Sequence, residues 1–158
     1  MTAGYERFGT VGDVLQRARD LSPRTVIIDV EPLVAWWDSG QELLDSGVAS
    51  MVGQLGGLTG LSVLCFATNS ARRPSHVPAG EAAQVVYLAS AAKPIQVTPY
   101  QSLPAPGVVI GDQILTDGIL ARRLGYAFLH YSPDPAAMPV GPRLLRYCGS
   151  LVLPLMFH

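Results

Sequence analysis

The chain has 158 residues, 49% of them hydrophobic and 15% charged, with a formal net charge of −1. That apolar share supplies one sizeable core and excludes a disordered chain. The near-neutral balance excludes a bulk electrostatic pull toward nucleic acid.

The polar stretch from Met1 to Asp20 holds no apolar leader segment, and no apolar run reaches about 18 residues, so a cytoplasmic protein is expected. Val11, Val14, Leu15 and Ala18 recur at helical spacing and predict a short amphipathic helix ended by Ser22-Pro23. Thr25 to Asp29 is a short apolar run between Pro23 and Pro32, the pattern of a strand buried on both faces. A helix is predicted from Gln41 to about Leu55, broken by Gly56-Gly57. Leu61 to Ala67 is a second buried strand ending in Thr68-Asn69-Ser70. Ala71 to Gly80 reads as loop, Ala83 to Leu88 as a third strand, and Pro94 to Pro106 as irregular. Gly107 to Asp112 is a fourth strand. A helix from about Thr116 to Leu124 should stop at Gly125, followed by a fifth strand from Tyr126 to Tyr131. Ser132 to Pro142 reads as extended. The apolar tail 143–158 is limited as a helix by Pro154.

Strand and helix alternate, which predicts a single α/β domain over 1–158: a mainly parallel, Rossmann-like sheet of about five strands with flanking helices. Open sheets of this kind bind ligands outside the carboxyl ends of their strands. Asp29, Thr68 and Asp112 stand at three such ends, and the third strand, Ala83 to Leu88, would feed Lys93 into the same rim. Two carboxylates there suit Mg²⁺, which prefers hard oxygen ligands and keeps several waters. A carboxylate beside such a cation can attack phosphorus, while an ammonium and hydrogen-bond donors hold the phosphoryl oxygens. Glu31, two residues after Asp29, suits a general acid/base, and Asp117 could hold Lys93 or a metal-bound water. The plainer alternative makes Asp29, Asp112 and Asp117 turn and cap residues.

Asp29-x-Glu31, Thr68-Asn69, Lys93-Pro94 and Gly111-Asp112-Gln113-Ile114-Leu115-Thr116-Asp117 resemble, in that order, the four motifs of the haloacid-dehalogenase (HAD) superfamily. The likeness is closest to its small, capless phosphatidylglycerophosphatase-like group. The fourth motif carries most of it, supported by Arg122-Arg123-Leu124-Gly125-Tyr126 downstream. The resemblance implies a Mg²⁺-dependent phosphomonoesterase working through an aspartyl-phosphate. Asp29 would be nucleophile and metal ligand, Glu31 acid/base and metal ligand, and Asp112 a metal ligand. Thr68, Asn69 and Lys93 would bind the phosphoryl group, with Asp117 supporting. The departure lies in the first motif, where the family has Asp-x-Asp-x-Thr and this chain has Asp29-Val30-Glu31-Pro32-Leu33. The added methylene of Glu31 displaces its carboxyl by about 1 Å, a shift that can cost roughly 100-fold in rate. Slowed turnover, or a degenerate HAD-fold interaction or scaffold protein, is the alternative expectation.

Only 38 residues separate Asp29 from Thr68, and 24 separate Thr68 from Lys93, too few for a large cap. An open site suits a bulky phosphorylated substrate, such as a lipid headgroup or a macromolecule. The tail is expected to dock on the domain, or to make a homodimer or meet a protein partner. Its two arginines, Arg143 and Arg146, support peripheral membrane contact weakly. Trp36-Trp37 is expected to pack against the sheet rim, with an interfacial role as the alternative. Arg72-Arg73 reads equally as an anion contact or a solvated loop. Cys65 reads as a reduced core residue, and Cys65 and Cys148 have no metal-ligand spacing.

Overall fold

The computed structural model describes residues 4–157. Its strands are β1 (Tyr5–Phe8), β2 (Thr25–Asp29), β3 (Val63–Ala67), β4 (Gln84–Leu88), β5 (Gly107–Gly111) and β6 (Ala127–Tyr131). Its helices are α1 (Val11–Asp20), α2 (Gln41–Leu55), α3 (Ile119–Leu124) and α4 (Val140–Met156). All six strands are parallel, in the order β1-β6-β5-β2-β3-β4. The described residues therefore form a Rossmann-like α/β domain, with no cap among them.

Every residue of β2, β3 and β5 is buried, because α1 and α2 cover one face of the sheet and α3 and α4 the other. Val26 and Ile28 point into the first layer, and Ile27 into the second. Each fully buried side chain of this size is worth roughly 1.5–3 kcal/mol. A one-residue slip of β2 would swap these faces, so the same packing that stabilises the strand fixes where Asp29 emerges. The β2 strand pairs with β3 on one side and β5 on the other. The chain runs outward from β2 through β3 to β4, then crosses back to β5. The crevice of the sheet thus opens beside Asp29.

The structure refines three expectations. The sheet has six strands, since Tyr5–Phe8 adds an edge strand along β6. Those four residues alternate too briefly to be recognised before their partner is known. Pro154 does not stop α4 at once: the helix runs two residues past it to Met156, although the proline forfeits its own intrahelical N–H bond. The segment expected to be extended before the tail holds a short 3₁₀ turn, Pro135–Ala137, and the start of α4. Gly125 does end α3, at φ 69°, as a left-handed cap. No helix among the described residues is long and apolar enough to cross a membrane.

Candidate active site

The site grows from the carboxyl ends of the two central strands. Asp29 closes β2, and Asp112 follows β5. Beyond Asp112 the chain does not start an ordinary helix. Ile114–Gly118 winds as a wide π turn in which the Gln113 carbonyl accepts from both Asp117 N–H (2.8 Å) and Gly118 N–H (3.3 Å). Such turns recur at functional sites because they re-aim a side chain. Here the turn lays the Asp117 carboxyl against Gly111. A methyl group on Gly111 would stand 2.2 Å from Asp117 Oδ2, so only glycine fits.

Lys93 ties the two halves together. Its Nζ donates to Asp29 Oδ1 at 2.8 Å and to Asp117 Oδ1 at 2.7 Å, with all three residues buried. The Asn69 side chain clamps the Lys93 backbone reciprocally: Oδ1 accepts from Lys93 N–H (2.7 Å), and Nδ2 donates to the Lys93 carbonyl (3.0 Å). An ammonium has three N–H donors, so one remains for a ligand.

Asp29, Asp112 and Asp117 each offer an oxygen within 4.8 Å of the others. With all three ionised, three carboxylates against one ammonium would leave this floor two charges negative. Burial, and then the crowding of Asp117, raise the Asp29 carboxyl well above the usual range, with Lys93 offsetting only part of it. The same two causes push Asp112 up to about 7. For Lys93, burial acts to lower the pKa, but Asp117 and Asp29 outweigh it and the ammonium stays charged. Asp112 Oδ1 and Gln113 Oε1 are buried with no hydrogen-bond partner. A buried polar atom left so costs about 1–3 kcal/mol, more if charged.

Glu31 lies to one side. Thr68 Oγ1 donates to its Oε2 (2.6 Å), Ser70 Oγ to its Oε1 (3.2 Å), and Arg72 approaches at 3.4 Å. Arg72 also donates to the carbonyls of Trp36 (2.9 Å), Trp37 (3.4 Å) and Ser39 (2.7 Å). It is therefore a clamp on the loop after β2 rather than a solvated side chain. Gln113 plays the matching part on the far side. Its Nε2 donates to Asp112 Oδ2 (2.8 Å) and to the Pro142 carbonyl at the start of α4 (3.1 Å). Two acceptors fix which end of that amide is nitrogen.

His130 stands behind Asp112. Its Nε2–H donates to the Asp112 carbonyl (3.1 Å), and its Nδ1 accepts from Tyr5 O–H (2.9 Å). Burial holds it neutral, with a pKa down to about 4. The unanticipated strand β1 thus steadies a floor residue through Tyr5.

Asp29, Glu31, Thr68, Asn69, Lys93 and Asp112 all line one cleft of about 220 Å³, and Asp117 lies buried beneath it. Asp117 takes the first of its two expected roles and holds Lys93. Glu31 stands outside the group of three acids close enough to share a cation, and Asp117 stands within it. Trp37, Pro142 and Leu145 form apolar walls, so Trp37 faces the cleft instead of packing on the sheet rim. Sequence reasoning missed Ser70, Gln113 and His130 as site residues. Gln113 lay inside the most specific motif and could have been found there, whereas His130 gave no signal. Comparisons of the chain with protein-family models, with curated proteins and with solved structures found no match.

Proposed function

We propose that this protein is a HAD-like, Mg²⁺-dependent phosphomonoesterase, acting through an aspartyl-phosphate on Asp29. The observation that carries the reading is the convergence of Asp29, Lys93, and the Asp112–Asp117 pair from three separate segments, with Asp112 Oδ1 buried and unpaired among them.

The donor set fits a hard divalent cation. Its ligands are all carboxylate oxygens, and its net negative charge matches such an ion. Carboxylate oxygens within 4.8 Å of one another are close enough to share one such ion. Asp29 and Asp112 would hold the ion. When bound, it supplies positive charge against the phosphoryl oxygens.

Lys93 occupies Asp29 Oδ1, which leaves Oδ2 for attack on phosphorus. The P–O ester bond breaks as the Asp29–P bond forms, and Glu31 gives its proton to the departing oxygen. Water then attacks the phosphoaspartate, returning a proton to Glu31 and freeing phosphate. Lys93 and the Asn69 backbone N–H steady the phosphoryl oxygens, joined by Thr68 when its one O–H turns from Glu31 to the substrate.

A second reading, a HAD-derived interaction protein without turnover, is favoured by one observation. Leu144, Tyr147, Leu151 and Leu155 leave an exposed apolar stripe on α4. Phosphate release from a panel of esters, with Mg²⁺ and then with EDTA, separates the two. Mg²⁺-dependent release supports the phosphatase. No release from any ester, with Glu31→Asp gaining some, supports the degenerate domain.

Shortening Glu31 moves its carboxylate away from Thr68 and Ser70, but toward the position the family's aspartate would take. In a working enzyme, Glu31→Asp is expected to raise kcat by up to about 100-fold, with KM little altered. Steady-state kinetics on a single ester would read both.

Cation binding should also register in stability. A carboxyl whose folded pKa is raised, as at Asp112, stabilises the fold below its unfolded value of about 4 and loses that contribution as pH rises through about 7. His130 acts in the opposite sense, losing stability as pH falls from about 6.5 toward 4. The difference between melts with and without Mg²⁺ isolates the carboxylates. At about 100 times its Kd, Mg²⁺ is expected to add roughly 2.7 kcal/mol at pH 8. The gain should shrink steadily toward pH 5, which thermal melts at several pH values would follow.

A further inference from the structure

We infer that the substrate's ester oxygen is carried by a flat, apolar group, an aryl phosphate in the simplest case, and that Trp37 selects it. This rests on the phosphatase reading and adds the chemical class of the leaving group. The cleft is two-toned: its lining joins carboxylates, an ammonium and hydroxyls to the apolar side chains of Trp37, Pro142 and Leu145. Neither the Trp37 wall nor the Pro142 wall is left loose. The Trp37 wall is bound to the floor by Arg72, which donates to the Trp36, Trp37 and Ser39 carbonyls and reaches Glu31. The Pro142 wall is bound to the floor by Gln113, which donates to Asp112 and to the Pro142 carbonyl. Both struts run from acidic floor residues to the backbone beside an apolar side chain. The spacing of the walls is therefore set by the groups that hold the phosphate.

Trp37 is half-buried and rests against Trp36 at 5.6 Å between ring centres, which limits its rotation. An indole lining the cleft favours a ring that stacks or meets it edge-on over a flexible polyol. At about 220 Å³ the cleft is below the usual range for ligand pockets, so one ring fits and a long chain would leave it. Two sources share this chemistry: a free aryl ester and the phosphotyrosyl side chain of a protein.

Calorimetry on Asp29→Asn with Mg²⁺, which binds without turning over, tests this with inorganic phosphate, glycerol phosphate, phenyl phosphate and a phosphotyrosyl peptide. Phenyl phosphate is expected to bind about 10-fold more tightly than glycerol phosphate. Trp37→Ala should erase that preference while leaving the Kd for inorganic phosphate unchanged, and Trp37→Phe should keep most of it. Trp37→Leu, which retains apolar bulk in case the alanine variant does not fold, should also lose the preference. A phosphotyrosyl peptide that binds as well as phenyl phosphate supports the inference with a protein as source. Exclusion of the peptide alone supports it with a free aryl ester. Equal binding of phenyl and glycerol phosphate, with inorganic phosphate bound, overturns the inference and leaves the phosphatase reading standing. Loss of affinity for all phosphates alike in Trp37→Ala overturns the selecting role. Failure of every phosphate to bind, at a Mg²⁺ concentration that saturates the Asp29→Asn protein in its own titration, overturns both readings.

Discussion

Lys93→Met is expected to cost about 3–5 kcal/mol of stability. The Lys93 ammonium is buried between Asp29 and Asp117, at 2.8 and 2.7 Å. Methionine fills similar space but leaves Asp29, Asp112 and Asp117 together with no positive charge among them. Ion pairs that are merely exposed are worth little, whereas removing one partner of a buried pair strands the other. For a chain of this length the loss corresponds to a fall in Tm of roughly 6–20 °C. Two additions should restore part of it. Asp117→Asn in the same chain removes one stranded charge, so the double variant is expected to be more stable than Lys93→Met alone. Mg²⁺ should stabilise Lys93→Met by more degrees than the parent. Thermal melts of the three proteins, with and without Mg²⁺, check this. A Lys93→Met protein melting with the parent would mean that the floor carries no net charge to offset.

Asp29→Asn is expected to abolish phosphate release, by about 10⁴-fold or more, because an amide oxygen cannot serve as the nucleophile. The fold should survive. Asparagine matches aspartate in shape, and its carbonyl can still accept from Lys93. Removing one of three crowded carboxylates relieves the repulsion that raises the Asp29 pKa. Stability is therefore expected within about 1 kcal/mol of the parent, in contrast to Lys93→Met. Mg²⁺ should bind more weakly, since a charged ligand is gone. Phosphate release, thermal melts and Mg²⁺ titration together distinguish a lost nucleophile from a damaged domain. Retained turnover would remove Asp29 from the reaction.

The architecture was legible wherever local signals and burial agreed. Thr25–Asp29 reads as a strand because an apolar run sits between two prolines, and α2 reads from Gln41 to Leu55 because glycines close it. Position along the strand then placed Asp29, Thr68 and Asp112 at one rim with no knowledge of contacts. The rest depended on pairing across the fold. Tyr5–Phe8 is a strand only because β6 lies beside it. The π turn at Ile114–Gly118 looks like a helix start in sequence, since its width is set by how Asp117 settles on Gly111. The Arg72 clamp joins Glu31 to residues 36–39 across a gap of 41 positions from Glu31, and no spacing rule covers that distance. Gln113 was visible as a motif letter, but its bond to Pro142 needed the position of α4.

The account depends most on a single cation lying between Asp29 and Asp112. Crystals grown with Mn²⁺, which takes the place of Mg²⁺ and scatters anomalously, would test it directly. The account predicts one strong anomalous peak within bonding distance of carboxylate oxygens from both residues, with Lys93 still paired to Asp117. No peak in the cleft at saturating Mn²⁺, or a peak bound only by residues elsewhere, would contradict it.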